Sequence, residues 1–228
     1  EGAPELEVIR EGDRYAIRVT PQPRAEPEDE AFAYGVDEDE KRARAALRAI
    51  TVVRDSPQRL RVIRLTPAQR RAAQLLSGQF SVPASAQAEL QQTLQTLAGH
   101  FQIQSDHAEA AREIEAEARL RAELSPSGES LTLRLVVAPL GPDGPRLMPG
   151  AGRARVMAAV RGETVGAQRD LAAERAHLDA VLGAFEFLDP PGRGDVACEW
   201  VVDVPEHALD MVERLPQLPA VHSVDWPR

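Results

Sequence analysis

The chain has 228 residues, of which 43% are hydrophobic and 28% charged, with a net charge of −9. That composition is globular, so a fully disordered chain and a collagen-like repeat are excluded. No apolar run reaches the ~18 residues of a membrane helix, and the negative charge argues against a dedicated DNA-coating surface.

The first elements are two strands, 6–10 and 15–19, joined by the turn Glu11-Gly12-Asp13-Arg14. Pro21 and Pro23 end this hairpin. Residues 26–40 hold eight carboxylates and no basic residue, and removing them leaves a charge of −1. Residues 24–35 are expected to be a loop, followed by a helix over 38–50 with Ala43, Ala46, Leu47 and Ile50 on one face.

Residues 60–65 alternate Arg with Leu, Val and Ile, which predicts a half-buried strand. Thr66-Pro67 opens a helix to about Leu76, with Thr66 as N-cap. A second helix is expected over 85–97, a short strand at 101–103, and a third helix over 108–118 by composition. Strands follow at 118–124 and 130–138, joined by Ser125-Pro126-Ser127-Gly128. A hairpin at 155–160 and 164–168 turns on Arg161-Gly162-Glu163. Asp170 caps a helix to about Phe185, a strand runs over 197–202, and a helix opens at Asp203 or Pro205. The last strand is 221–226. Hairpins dominate and the β-α-β spacing is irregular, so the expected class is α+β, mainly antiparallel, with several packed helices.

The cation content is 26 Arg against one Lys, Lys41 in Glu40-Lys41-Arg42. A Walker A loop needs a Gly-Lys-Ser/Thr sequence, so this chain carries no P-loop ATPase core. One cysteine, Cys198, excludes an internal disulfide and a four-cysteine zinc site, and fits a reducing cytoplasmic setting. The opening Glu1-Gly2-Ala3-Pro4 has no basic or apolar region of a signal peptide.

Ser105-Asp106-His107 places a hydroxyl, a carboxylate and an imidazole in sequence. A triad needs them to converge in space, and the expected role is capping and loop support. His100, Asp106 and His107 are close in sequence without a metal-binding spacing, and His177, His207 and His222 are scattered. Gly141-Pro142-Asp143-Gly144-Pro145 and Pro149-Gly150-Ala151-Gly152 lead into a strand, not a helix, so a rigid turn is expected over a phosphate cradle. Arg134, Arg153, Arg155 and Arg161 in the second half are candidate nucleic-acid contacts. So are Arg59, Arg61, Arg64, Arg70 and Arg71, against the plainer reading of solvated charge balancing nearby acids. Thr66 to Arg71 followed by another helix only weakly matches a helix-turn-helix, because the connection is too long.

From Leu65 onward a series of phrases carries a resemblance. They are Ser105-Asp106-His107, Pro139-Leu140-Gly141 through Pro149-Gly150-x-Gly152, Arg169-Asp170-Leu171-x-x-Glu174, and the closing Val224-Asp225-Trp226-Pro227. In these, residues 65–228 resemble the accessory region preceding the motor in large bacterial SWI/SNF-related helicase-like proteins of superfamily two.

The resemblance implies an accessory domain at 65–228, behind an N-terminal hairpin, acidic loop and helix at 1–64. It implies a scaffold without catalysis of its own. Its expected partners are the motor domains of the same polypeptide, and DNA or another protein, with no membrane. ATP and magnesium belong to that motor, so no cofactor is expected here. Ser105, Asp106, His107, Arg169, Asp170 and Trp226 read as structural under it. The alternatives are a nucleic-acid module feeding the motor, and a small stand-alone enzyme if Asp106 and His107 converge with another polar group.

Overall fold

The computed structural model describes residues 4–20, 50–54, 60–76, 80–105, 107, 110, 112–191 and 198–226. The acidic stretch at 26–40, the helix expected over 38–49 and Asp106 lie outside them. The class is α+β, as the sequence predicts.

β1 (Glu5–Glu11) and β2 (Arg14–Thr20) pair antiparallel around Gly12, whose φ of +65° suits a residue without a Cβ. Their alternation is strict: Leu6, Val8, Tyr15, Ile17 and Val19 are buried, and Glu5 and Glu7 point the other way. β3 (Ile50–Arg54) and β4 (Leu60–Arg64) form a separate hairpin. Ile50 therefore opens a strand instead of closing a helix.

α1 (Pro67–Leu75) is fixed at its start by a reciprocal cap. The Thr66 hydroxyl accepts from Gln69 N at 3.2 Å, and Gln69 Oε1 accepts from Thr66 N at 2.8 Å. β5 (Phe80–Pro83) then pairs with β2 before α2 (Gln87–Leu97) begins. A strand thus separates the two helices, which removes the helix-turn-helix reading.

β6 (Gln102–Ser105) follows, then β7 (Arg112–Glu115) where a helix was expected over 108–118. β7 lies parallel to β11 (Glu163–Gln168), which pairs with β10 (Arg155–Val160). Arg112 pairs with Glu163, Glu113 with Arg155, and Ile114 packs on a core. These non-local contacts override the helical composition of Arg-Glu-Ile-Glu.

The strands form a seven-stranded sheet in the order β5-β2-β1-β6-β10-β11-β7. β1 and β2, from the first 64 residues, share it with five strands from the remainder. A four-stranded sheet, β12-β9-β8-β13, comprises β8 (Leu120–Ser127), β9 (Ser130–Val136), β12 (Cys198–Val202) and β13 (Val221–Asp225). Pro126 was expected in the turn but extends β8, because β13 stops at the Asp225–Glu123 pair and leaves that side of Pro126 without a ladder. The described pairings are mostly antiparallel; β1–β6, β11–β7 and β13–β8 are the parallel ones.

Two cores result. α1 and α2 cover one face of β1, β2 and β6 through Ala73, Leu90 and Leu94. α3 (Leu171–Ala184) and α4 (Pro205–Arg214) join the four-stranded sheet through Leu178, Val181 and Met211. β10 serves both: Met157 enters the first core, while its neighbours Val156 and Ala158 enter the second.

Candidate functional site

The most concentrated polar chemistry among the described residues lies where β11 passes into α3. Asp170 caps that helix, its Oδ1 accepting from Ala172 N at 3.1 Å and Ala173 N at 2.9 Å. The cap fixes the first turn and places Glu174 beside Arg169. The two make a bidentate pair, Arg169 Nε to Glu174 Oε1 at 2.9 Å and Nη2 to Oε2 at 2.6 Å. Their side chains are 0% and 1% exposed.

A guanidinium has five N–H donors, and here every one is used. Besides Glu174, Arg169 donates to the carbonyls of Met148 at 3.0 Å, Ala151 at 2.8 Å and Arg153 at 3.1 Å. Glu174 Oε2 also accepts from Gly150 N at 2.8 Å, and Arg175 Nε donates to Gly150 O at 2.9 Å. The glycine loop is therefore a strap wrapped around a buried ion pair. Gly150 is required there: its φ is +64°, and a Cβ would fall 2.1 Å from Arg175 Cγ.

Ser105 is fully buried, and its Oγ accepts from His107 N at 3.0 Å. The His107 ring stands edge-on to Tyr15, with centroids 5.5 Å apart, and its carbonyl accepts from Gln91 Nε2. The Ser105 hydroxyl is thus engaged by backbone, and no hydrogen bond between the two side chains is present.

The four candidate arginines of the second half are dispersed, each with a carboxylate. Arg134 pairs with Glu123 at 3.0 Å, Arg153 with Glu7 at 3.0 Å, Arg155 with Glu113, and Arg161 with Asp143 at 2.6 Å. Glu123 also holds Arg146 at 3.3 Å. A phosphate would have to displace a carboxylate at each position. Trp226 follows β13, half exposed.

Sequence reading missed a surface cluster. Glu117 binds Arg119 at 2.6 Å and lies 3.1 Å from His222 Nδ1, with Arg119 Nη2 also 3.1 Å from that nitrogen. The Arg119 hydrogen bond holds the Glu117 carboxyl down at about 2, against an ordinary 4.5. His222 sits in an irregularity of β13 between Val221 and Ser223, and it is 103 residues from Arg119, so no local motif announces the cluster.

His177 and His207 have structural neighbours. His177 Nδ1 lies 3.1 Å from the Ala118 carbonyl, and His207 stacks on Phe187 at 4.3 Å. Among the described residues no three metal-ligating groups come together, and no helix is long and apolar enough to cross a membrane. A cleft of about 210 Å³ is lined by Glu5, Leu6, Glu7, Thr20 and Gln104.

Comparison with protein-family models, with curated proteins and with solved structures gives no match.

Proposed function

We propose that this chain is a non-catalytic accessory region of a bacterial SWI/SNF-related DNA helicase or translocase, working in the cytoplasm. In this reading it positions the motor or docks a protein partner, and the ATP and magnesium chemistry resides in the motor. The observation that supports a structural role for the phrases carrying the resemblance is the closed state of the clamp. The Gly-x-Gly loop and the Arg169-Asp170-Leu171-x-x-Glu174 phrase both carry the family resemblance, and they satisfy one another inside the fold. All five Arg169 donors are used within the fold, and the Glu174 carboxylate is 1% exposed, so the pair is turned inward. The paired arginines favour a scaffold over a substrate-feeding module, because each phosphate contact would first cost an ion pair.

Two readouts test the proposal. The reading frame that encodes the chain is expected to contain a Walker A loop and motor beyond the codon for Arg228; a frame without a motor overturns the family reading. Titration against labelled single-stranded DNA, duplex DNA and RNA is expected to show no binding at low or near-physiological salt. Salt-sensitive binding that weakens in Arg153→Ala would replace the scaffold by a nucleic-acid module.

A further inference from the structure

The strap at 148–153 is gripped from two sides. On one side it is held by Arg169, just ahead of α3, and by Glu174 and Arg175 on that helix. On the other, the seven-stranded sheet holds it: Arg153 N donates to Gln104 Oε1 on β6 at 3.4 Å, and Arg153 Nε to Glu7 Oε1 on β1 at 3.0 Å. The fit between them is close. A Cβ on Gly152 would stand 2.6 Å from Gln104 Oε1 and 3.7 Å from Arg169 Nη1. α3 in turn belongs to the core of the four-stranded sheet through Leu178 and Val181, and its His177 meets Ala118 in the connection between β7 and β8.

We infer that this clamp is a rigid coupler that makes the two sheets one cooperative unit, so that a displacement of α3 is carried through the strap to β6 and β1. The physical reason is that the clamp cannot open by degrees. Freeing the strap from Arg169 takes a donor from three backbone carbonyls, and freeing Glu174 leaves a buried guanidinium without its counter-charge. β10, whose side chains alternate between both cores, supplies the backbone continuity beneath it. This coupling holds whichever partner the chain serves.

Urea unfolding of the full chain, read separately on each sheet, tests it. Both tryptophans, Trp200 on β12 and Trp226 after β13, lie with the four-stranded sheet, so their fluorescence reads that sheet. Amide exchange by mass spectrometry in peptides covering 5–20 reads β1 and β2. In the wild type the two midpoints are expected to coincide. Glu174→Gln is expected to part them by about 1 M urea. Arg153→Ala removes the Glu7 tether, leaves the buried pair intact, and decides the matter should Glu174→Gln not fold. It is expected to part the midpoints by less while leaving the fluorescence midpoint in place. Wild-type midpoints that already differ, or variants in which both readouts shift together, overturn the coupler.

Discussion

The clamp and the β10–β11 hairpin tip contain the same interaction at the same separation. Arg169–Glu174 and Arg161–Asp143 are both arginine–carboxylate pairs at 2.6 Å. The first pair is 0% and 1% exposed, the second 79% and 49%. Distance therefore says little about what each contributes. A buried pair has already lost its hydration, so removing one partner leaves a charge with nothing to replace it. An exposed pair exchanges one set of water contacts for another, and long side chains lose entropy in making it. Breaking a pair of the first kind is therefore expected to cost the fold far more than breaking one of the second.

The sharpest way to break this comparison is Glu174→Ala. It leaves the Arg169 guanidinium buried and Gly150 N without an acceptor. The expected loss is ~3–5 kcal/mol of unfolding free energy, measured by urea titration. A loss under ~1 kcal/mol would put the clamp in the same class as the hairpin tip.

Gly150→Ala tests the strap instead of the pair. The alanine must hold φ near +64°, and its Cβ overlaps Arg175 Cγ. A loss of about 2 kcal/mol is expected, smaller than for Glu174→Ala because Arg175 can swing aside at the cost of its bond to Gly150 O. Arg175→Ala combined with Gly150→Ala should then lose less than the sum of the two single changes, since the overlap is counted in only one of them.

The same contrast between local and distant determinants explains what the sequence revealed. Thr66-Pro67, the Asp170 cap and the Arg161-Gly162 turn are set by residues within one turn of each other, and each lies where its chemistry predicts. β5 and β7 escaped because their reason lies elsewhere in the chain, in pairing to β2 and β11. The clamp was half legible. Arg169, Asp170, Glu174 and the Gly-x-Gly loop stand out as a phrase, but nothing local says that the loop closes over the pair. Arg153 shows the limit most clearly: it reads as a candidate phosphate contact, and the carboxylate it meets on β1 is 146 residues away.

Glu117 offers an intermediate case between buried and exposed. Its carboxyl is held down at about 2 by the Arg119 hydrogen bond, below the 4.5 of an unfolded chain. Its contribution to stability is therefore complete above about 4.5 and is lost as pH falls from there toward 2. Carbon-detected NMR titration of the side-chain carboxyl reads this directly. Arg119→Ala should move the midpoint upward toward 4.5. An unchanged midpoint would assign the depression to something other than the Arg119 bond. Because the pair stands in partial contact with water, the accompanying stability change should be much smaller than that of either clamp variant.

The smallest effect is expected at Arg161, where two terms oppose. Arg161 has φ +52° and Gly162 φ +85°, the conformation of a two-residue hairpin turn with both central residues left-handed. Arg161 is the one non-glycine residue with positive φ among the described residues, so its place in the turn carries backbone strain. Asparagine tolerates that conformation better than arginine, because its short side chain can bond locally. Arg161→Asn relieves part of the strain and gives up the exposed pair to Asp143, which should be worth no more than ~0.5 kcal/mol. A net change within ~0.5 kcal/mol of zero, on the stabilising side, is expected from thermal unfolding. A loss above ~1 kcal/mol would mean that the Arg161–Asp143 pair holds the hairpin tip to the 139–147 loop, and burial would no longer separate the two pairs. The variant also bears on nucleic-acid contact: it removes the most exposed of the four second-half candidate arginines, so an unchanged response to DNA is the outcome consistent with an ion pair that serves only its own hairpin.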